Sequence, residues 1–397
     1  MKDLNDIIKP YIDNGLYPGV QWQINIKNKK HSGKLGYINL ETKKHIEEDT
    51  IYRIWSMTKP IVAIAAMQLV ENNKIKLDDP ITKYLPEFID LKVIKNEEGD
   101  INDVEELKIT PTIKHLLLHT AGFSYNFLAD SVGRYYDNIN LFSSSSSSLE
   151  KEINLLAKSP LLFQPSTKWR YSVSMDVLAR IIEVVEEDNL QNILKEKIFD
   201  PLHMYNTNFS IPEKDSNKVM QSYEFDPLQK KLRQHNFNPQ KIGNYGYPLH
   251  EKNYARGGHG LFSTINDYAI FAKMLHDGKT KDGQNIITEN SLKLMTTNAL
   301  HSKHFPIEIS SIGVVKDDNY TNDLKAYGWG LGFRTLMNLK RNNNLGSIGE
   351  FGWAGAASTY FLVDNKKQMT AILMTQVLFG NPNLKNDFYK FIYSNLE

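Results

Sequence analysis

The chain has 397 residues, 41% of them apolar, enough to bury a substantial core in one elaborated domain or in two. Its 47 lysines and arginines nearly cancel 46 acids, which removes any electrostatic reason to expect nucleic acid or an anionic membrane as partner. The absence of cysteine excludes disulfides, thiolate nucleophiles and cysteine metal sites.

The opening stretch, MKDLNDIIKPYIDNG, carries charge every few residues and lacks the apolar core of a signal peptide, so the expected location is the cytoplasm. The longest apolar run, Ile61 to Met67, falls short of the roughly 18 residues of a membrane span. Asp3 to Asn14 reads as a helix closed by Gly15. Val20 to Ile26 alternates with period two, the pattern of a strand with one buried face, and a second strand is expected after a Lys29-Lys30 turn, through Gly36-Tyr37-Ile38. Ile51 to Trp55 leads into Ser56 and then a helix to about Asn72, apolar nearly all round and therefore enclosed by protein. Pro60 is tolerated there because it falls in the first turn.

Helical patterns dominate residues 77 to 290, at Ile113–Leu118, Met175–Glu186, Leu190–Ile198, Ile265–Leu275 and Thr288–Thr297. The run Ser143 to Ser148 reads as a solvated loop. Strands return at Gly330–Arg334, Ala357–Val363 and Met369–Met374, and a helix, Leu384–Ser394, closes the chain. The expected organisation is a sheet domain from two segments, 1–76 and 291–397, with a mainly helical domain, 77–290, and a cleft between them.

Ser56-Met57-Thr58-Lys59 is a Ser-x-x-Lys. Residues three apart share a helix face, so Lys59 Nζ can reach Ser56 Oγ. A serine hydroxyl becomes a nucleophile when a neighbouring base takes its proton, and a buried lysine is such a base because burial lowers its pKa. The helix start also aims free N–H groups at a developing oxyanion. Alone, the pattern far more often marks an N-cap with a surface lysine, and a second copy, Ser148 to Lys151, reads as just that. Tyr171, opening the helix after Phe163–Thr167, offers a phenol as a second acid or base. Gly352-Trp353-Ala354-Gly355-Ala356 precedes a strand, and its glycines let a substrate approach the backbone. The Ala356 N–H is the candidate partner of the Ser56 N–H in an oxyanion hole.

Ser-x-x-Lys, then Tyr171-Ser172-Val173, then Trp353-Ala354-Gly355, in that order, resembles the serine β-lactamase superfamily, and most of all the carboxylesterases of lipolytic family VIII, relatives of class C β-lactamases. Ile113–Phe123, Phe199–Met204 and Gly257–Thr264 are similar to further family segments, so the likeness runs from about residue 16 to about residue 380. It implies an α/β (α+β) fold of the β-lactamase/transpeptidase type, with an antiparallel sheet flanked by helices plus a helical domain. It also implies that Ser56 is acylated, that Lys59 is its base, and that Tyr171 relays protons to the leaving group and later to water.

Class C β-lactamases carry Tyr-x-Asn where this chain has Val173, and Lys-Thr-Gly where it has Trp353-Ala354-Gly355. Both changes replace polar recognition by an apolar wall, which favours neutral esters of short or medium acyl chain. The expected substrate surface is therefore Val173, Trp353, Ala354, Gly355 and Tyr125. An acyltransferase differs only in the second acceptor, while a β-lactamase or D-amino-acid peptidase fits these residues less well. His119 reads as a strut for its loop, His259 as structural, and Trp329 as a cleft residue without an assigned role. The histidines and acids show no metal-ligand spacing, so neither metal nor cofactor is expected. Oligomeric state is left open.

Overall fold

The structure, a computed structural model, describes residues 3–128, 130–142, 146–226, 228–235, 248–305, 307–309, 324–378 and 380–395. Residues 143–145 of the serine run lie outside them. Helix α1 (Leu4–Asp13) starts where the Asp3 side chain accepts the Asn5 N–H. Strands β1 (Gly19–Ile26) and β2 (Lys29–Asn39) then form a hairpin. Its turn is Lys27-Asn28, at φ 46° and 65°, and not the expected Lys29-Lys30. Two successive left-handed residues match the twist of a two-residue hairpin, so Lys29 and Lys30 enter the ladder opposite Ile26 and Asn25.

After β3 (Lys44–His45) and β4 (Ile51–Arg53) comes α2 (Thr58–Glu71), in which Thr58 through Met67 and Leu69 are all buried. The intervening region holds the hairpin β5 (Lys92–Ile94) and β6 (Val104–Glu106), then α3 (Ile113–Leu117), α4 (Ser131–Asn138), α5 (Leu149–Leu156) and α6 (Ser174–Glu186). A second hairpin, β7 (Tyr223–Asp226) and β8 (Lys231–Gln234), precedes β9 (Phe262–Thr264), which pairs with β4. Helices Ile265–Met274 and Glu289–Thr296 lead to β10 (Tyr327–Trp329), β11 (Arg334–Leu336), β12 (Phe351–Ala354), β13 (Tyr360–Asp364), β14 (Met369–Met374) and the last helix, Asn383–Asn395.

The main sheet has the order β10-β11-β12-β13-β14-β1-β2-β3, antiparallel throughout. It closes where β14 meets β1, with Met374 opposite Gln21 and Met369 opposite Ile26. Helices cover it, giving the α/β (α+β) architecture that the sequence implies. Two local expectations change. Of Gly330–Arg334 only Arg334 is in a strand: Gly330 N–H reaches Phe333 O at 2.8 Å and Gly332 sits at φ 94°, so Gly330 to Phe333 turn the chain from β10 to β11. Strand β1 is buried on both faces and not one, with Gln21 and Gln23 only 3% and 5% exposed. Its apolar residues pack with α1 and the last helix, and its polar ones face the other layer, where the Tyr52 hydroxyl donates to Gln21 Oε1 at 2.9 Å.

Candidate active site

Residues 55–57 form a 3-10 turn ahead of α2. Trp55 stands there at φ 48°, a left-handed conformation that a bulky residue adopts only under constraint, and its buried indole stacks on the half-buried His259 at 6.2 Å. The turn leaves Ser56 half-buried, and Ser56 Oγ accepts hydrogen bonds from Lys59 Nζ at 3.0 Å and from the Tyr171 hydroxyl at 2.7 Å.

Lys59 is 1% exposed. It also donates to the Gly258 carbonyl at 2.6 Å, and its Nζ lies 4.6 Å from the Tyr171 ring centroid and 5.3 Å from that of Tyr125. Burial pushes its ammonium down to about 7, while the Asp176 carboxylate pulls the other way. An amine in this state is available as a base near neutrality. Tyr171 is held by its neighbours: Arg170 N–H bonds to His119 O at 2.9 Å, and Val173 N–H to Ser124 O at 3.1 Å. His119 Nδ1 lies 3.2 Å from Ser172 Oγ and its ring 5.0 Å from that of Tyr171, so it packs behind the tyrosine. Burial drives its imidazole toward the neutral form.

Trp353, on β12, approaches the other side of Tyr171, its Nε1 donating to the phenol oxygen at 3.4 Å. Gly355 ends that strand against the serine turn. A β-carbon there would stand 2.5 Å from Ile54 O and 3.1 Å from Trp55 Cβ, so only glycine allows the approach. The next residue, Ala356, is exposed. Tyr125 is buried with its ring 5.3 Å from that of Tyr171. Val173, expected on the substrate surface, is 1% exposed, and Trp329, expected in the cleft, is fully buried with its indole N–H on Leu117 O at 3.0 Å. The second Ser-x-x-Lys lies elsewhere: Ser148 caps α5, accepting the Lys151 N–H at 3.3 Å, and Lys151 is exposed.

Two participants escape a motif reading. One is the Gly258 carbonyl, since a backbone acceptor has no residue signature. The other is Asp176, 1% exposed in the first turn of α6, whose Oδ1 accepts the Gly258 N–H at 3.0 Å. An acid inside the apolar run Met175, Val177, Leu178, Ala179 was the available signal, because a buried carboxylate requires partners.

A family model described as Beta-lactamase matches residues 4–390. An uncharacterized protein of Mycobacterium tuberculosis strain CDC 1551, MT1414, is 27% identical over 395 residues, covering 95% of this chain and 93% of the relative. Esterase EstB of Burkholderia gladioli is 33% identical over 177 residues, 44% of this chain and 42% of EstB. The solved structure of EstCE1, described as a hydrolase with promiscuous acyltransferase activity, aligns with a TM-score of 0.80 at 22% identity, covering 98% of this chain and 97% of that one.

Proposed function

This chain belongs to the Beta-lactamase family of serine hydrolases, and from that premise we propose that it is a carboxylesterase acting on neutral esters of short to medium acyl chain. One observation carries the reading: Ser56 Oγ lies within hydrogen-bond distance of both a buried amine and a phenol, Lys59 Nζ at 3.0 Å and Tyr171 at 2.7 Å. In acylation Ser56 Oγ bonds to the ester carbon, and its proton passes to Lys59. Tyr171 gives its proton to the departing alkoxide and regains one from Lys59. In deacylation Tyr171 passes its proton to Lys59 as it takes one from water, whose oxygen attacks the acyl carbon, and Ser56 leaves carrying the proton that Lys59 returns, so that all three groups end as they began. Ser56 and Ala356 N–H groups hold the oxyanion in both steps; one such donor is worth about two to three orders of magnitude in rate.

Ester selectivity follows from the Trp353 indole, which offers no charge or amide to a β-lactam's polar groups. Residues 1–76 with 291–397 form the sheet side of the cleft in this reading, and 77–290 the helical side. Esterase EstB and the hydrolase EstCE1 are both similar to this chain, which agrees with an ester substrate. The acyltransferase activity named for EstCE1 favours a second reading, in which an alcohol replaces water in deacylation.

Ser56→Ala is expected to reduce hydrolysis of p-nitrophenyl butyrate to the solvent rate while the melting temperature holds. Turnover that survives the substitution, or nitrocefin cleaved faster than the ester, removes the reading. Added methanol that diverts product from butyrate to methyl butyrate marks the transferase.

A further inference from the structure

Asp176 has no part in the chemistry above, yet its position is specific. Its Oδ1 accepts the Gly258 N–H at 3.0 Å, and the carbonyl of the same residue accepts Lys59 Nζ at 2.6 Å. Asp176, Gly258, Lys59 and Ser56 thus form one hydrogen-bonded line. A β-carbon at 258 would fall 2.5 Å from the Tyr125 hydroxyl, 2.6 Å from Asp176 Oδ2 and 3.4 Å from Lys59 Nζ, so three polar groups crowd the face that glycine leaves open. Among the described residues, Asp176 Oδ2 has no hydrogen-bond partner, although it is buried. A buried carboxylate with one oxygen unpaired is costly unless its charge acts on something nearby. The group formed nearby during turnover is the Lys59 ammonium, which appears when Ser56 gives up its proton.

Resting on the esterase reading, we infer that Asp176 is a positioning residue for Lys59: through the Gly258 peptide it fixes where the amine sits, and its charge stabilises the ammonium that acylation creates. The groups facing Lys59 are Tyr125, Tyr171, His119 and His259 besides Asp176. Burial holds both histidines toward the neutral form and pushes the Tyr125 phenol up; it also pushes the Asp176 carboxyl up, opposed by the Gly258 N–H, Lys59 and Arg256. Asp176 is therefore the acid placed to counter Lys59 among these groups.

The test is the pH dependence of kcat/KM for p-nitrophenyl butyrate in Asp176→Asn, which keeps an acceptor for the Gly258 N–H and removes the charge. The parent's acid limb should have its midpoint at about 7, where Lys59 loses its proton. Without the carboxylate the ammonium is less favoured, so the midpoint should move down by about one pH unit and the plateau should fall about tenfold. A purely structural role would lower the plateau and leave the midpoint in place. An unmoved or raised midpoint overturns the inference. Asp176→Ser, also uncharged, serves if the asparagine variant fails to fold, and the same downward movement is expected in the pH dependence of fluorophosphonate labelling. Ser56→Ala run alongside separates the failures: an inactive Ser56→Ala with an unmoved midpoint removes only this role, whereas an active Ser56→Ala removes the esterase reading itself.

Discussion

In the proposed mechanism Tyr171 is the side chain on which the two half-reactions depend together. Its hydroxyl donates to Ser56 Oγ at 2.7 Å, and its ring lies 4.6 Å from Lys59 Nζ. Tyr171→Phe keeps the ring and removes the proton, so the electrostatic setting of Lys59 survives while the relay is lost. Turnover of p-nitrophenyl butyrate should fall by roughly 10²- to 10³-fold, with acylation and deacylation both slowed in a stopped-flow trace. A rate within twofold of the parent takes Tyr171 out of the proton path. The meeting of Ser56, Lys59 and Tyr171 was legible, because hydroxyl, amine and phenol are chemically distinctive and sit in recognisable motifs. Asp176 and the Gly258 carbonyl were not, since one acts through a peptide group and the other is a peptide group. The left-handed Trp55 was also invisible: nothing in a tryptophan announces positive φ.

Elements were legible where period and cap agree. The helix Glu289–Thr296 begins after Thr288, whose side chain accepts the Ser291 N–H, and α1 begins after Asp3 in the same way. Alternation misled at β1, because a polar residue in a strand reads as solvent-facing although Gln21 and Gln23 lie under a second layer. Glycine misled at 330 and 332, where a turn looked like a strand. The end of β12 shows how an element, and not a side chain, sets the site. Gly355 brings that strand against Ile54 and Trp55, and a methyl group there would also meet Thr359 Oγ1 at 2.2 Å. Gly355→Ala should push the strand end from the serine turn and draw apart the two N–H groups assigned to the oxyanion. The expected result is a kcat about 10²-fold lower, with a melting temperature reduced by only a few degrees. An unchanged kcat would mean that this contact does not set the oxyanion geometry.

At the scale of the molecule, strands at both chain ends were legible, but the pairing of β1 with β14 was not. Asn25 and Thr370, bonded across that pair at 3.2 Å, are 345 residues apart, and no local pattern encodes a register over such a distance. Resemblance supplied what periodicity could not. The last helix is tied to this sheet by a buried acid: Glu350 Oε1 accepts the Tyr327 hydroxyl at 3.2 Å and that of Tyr389 at 2.8 Å, and Oε2 accepts that of Tyr393. Glu350 is 2% exposed, and burial pushes its carboxyl from 4.5 up to about 7, the tyrosine hydroxyls and Arg334 opposing and Asp364 adding. A folded-state pKa above the unfolded one means that the native chain binds the proton more tightly. This stabilisation is therefore complete below about 4.5 and is lost as pH rises through about 7, a change on the order of 3 kcal/mol. Glu350→Gln keeps the volume and cannot ionise. Its melting temperature relative to the parent should therefore rise by about 4 °C between pH 5 and pH 8. A difference that stays constant across that range would show that Glu350 does not titrate within the folded protein, and would leave the tyrosine cluster as a fixed hydrogen-bonded clasp between the last helix and the sheet.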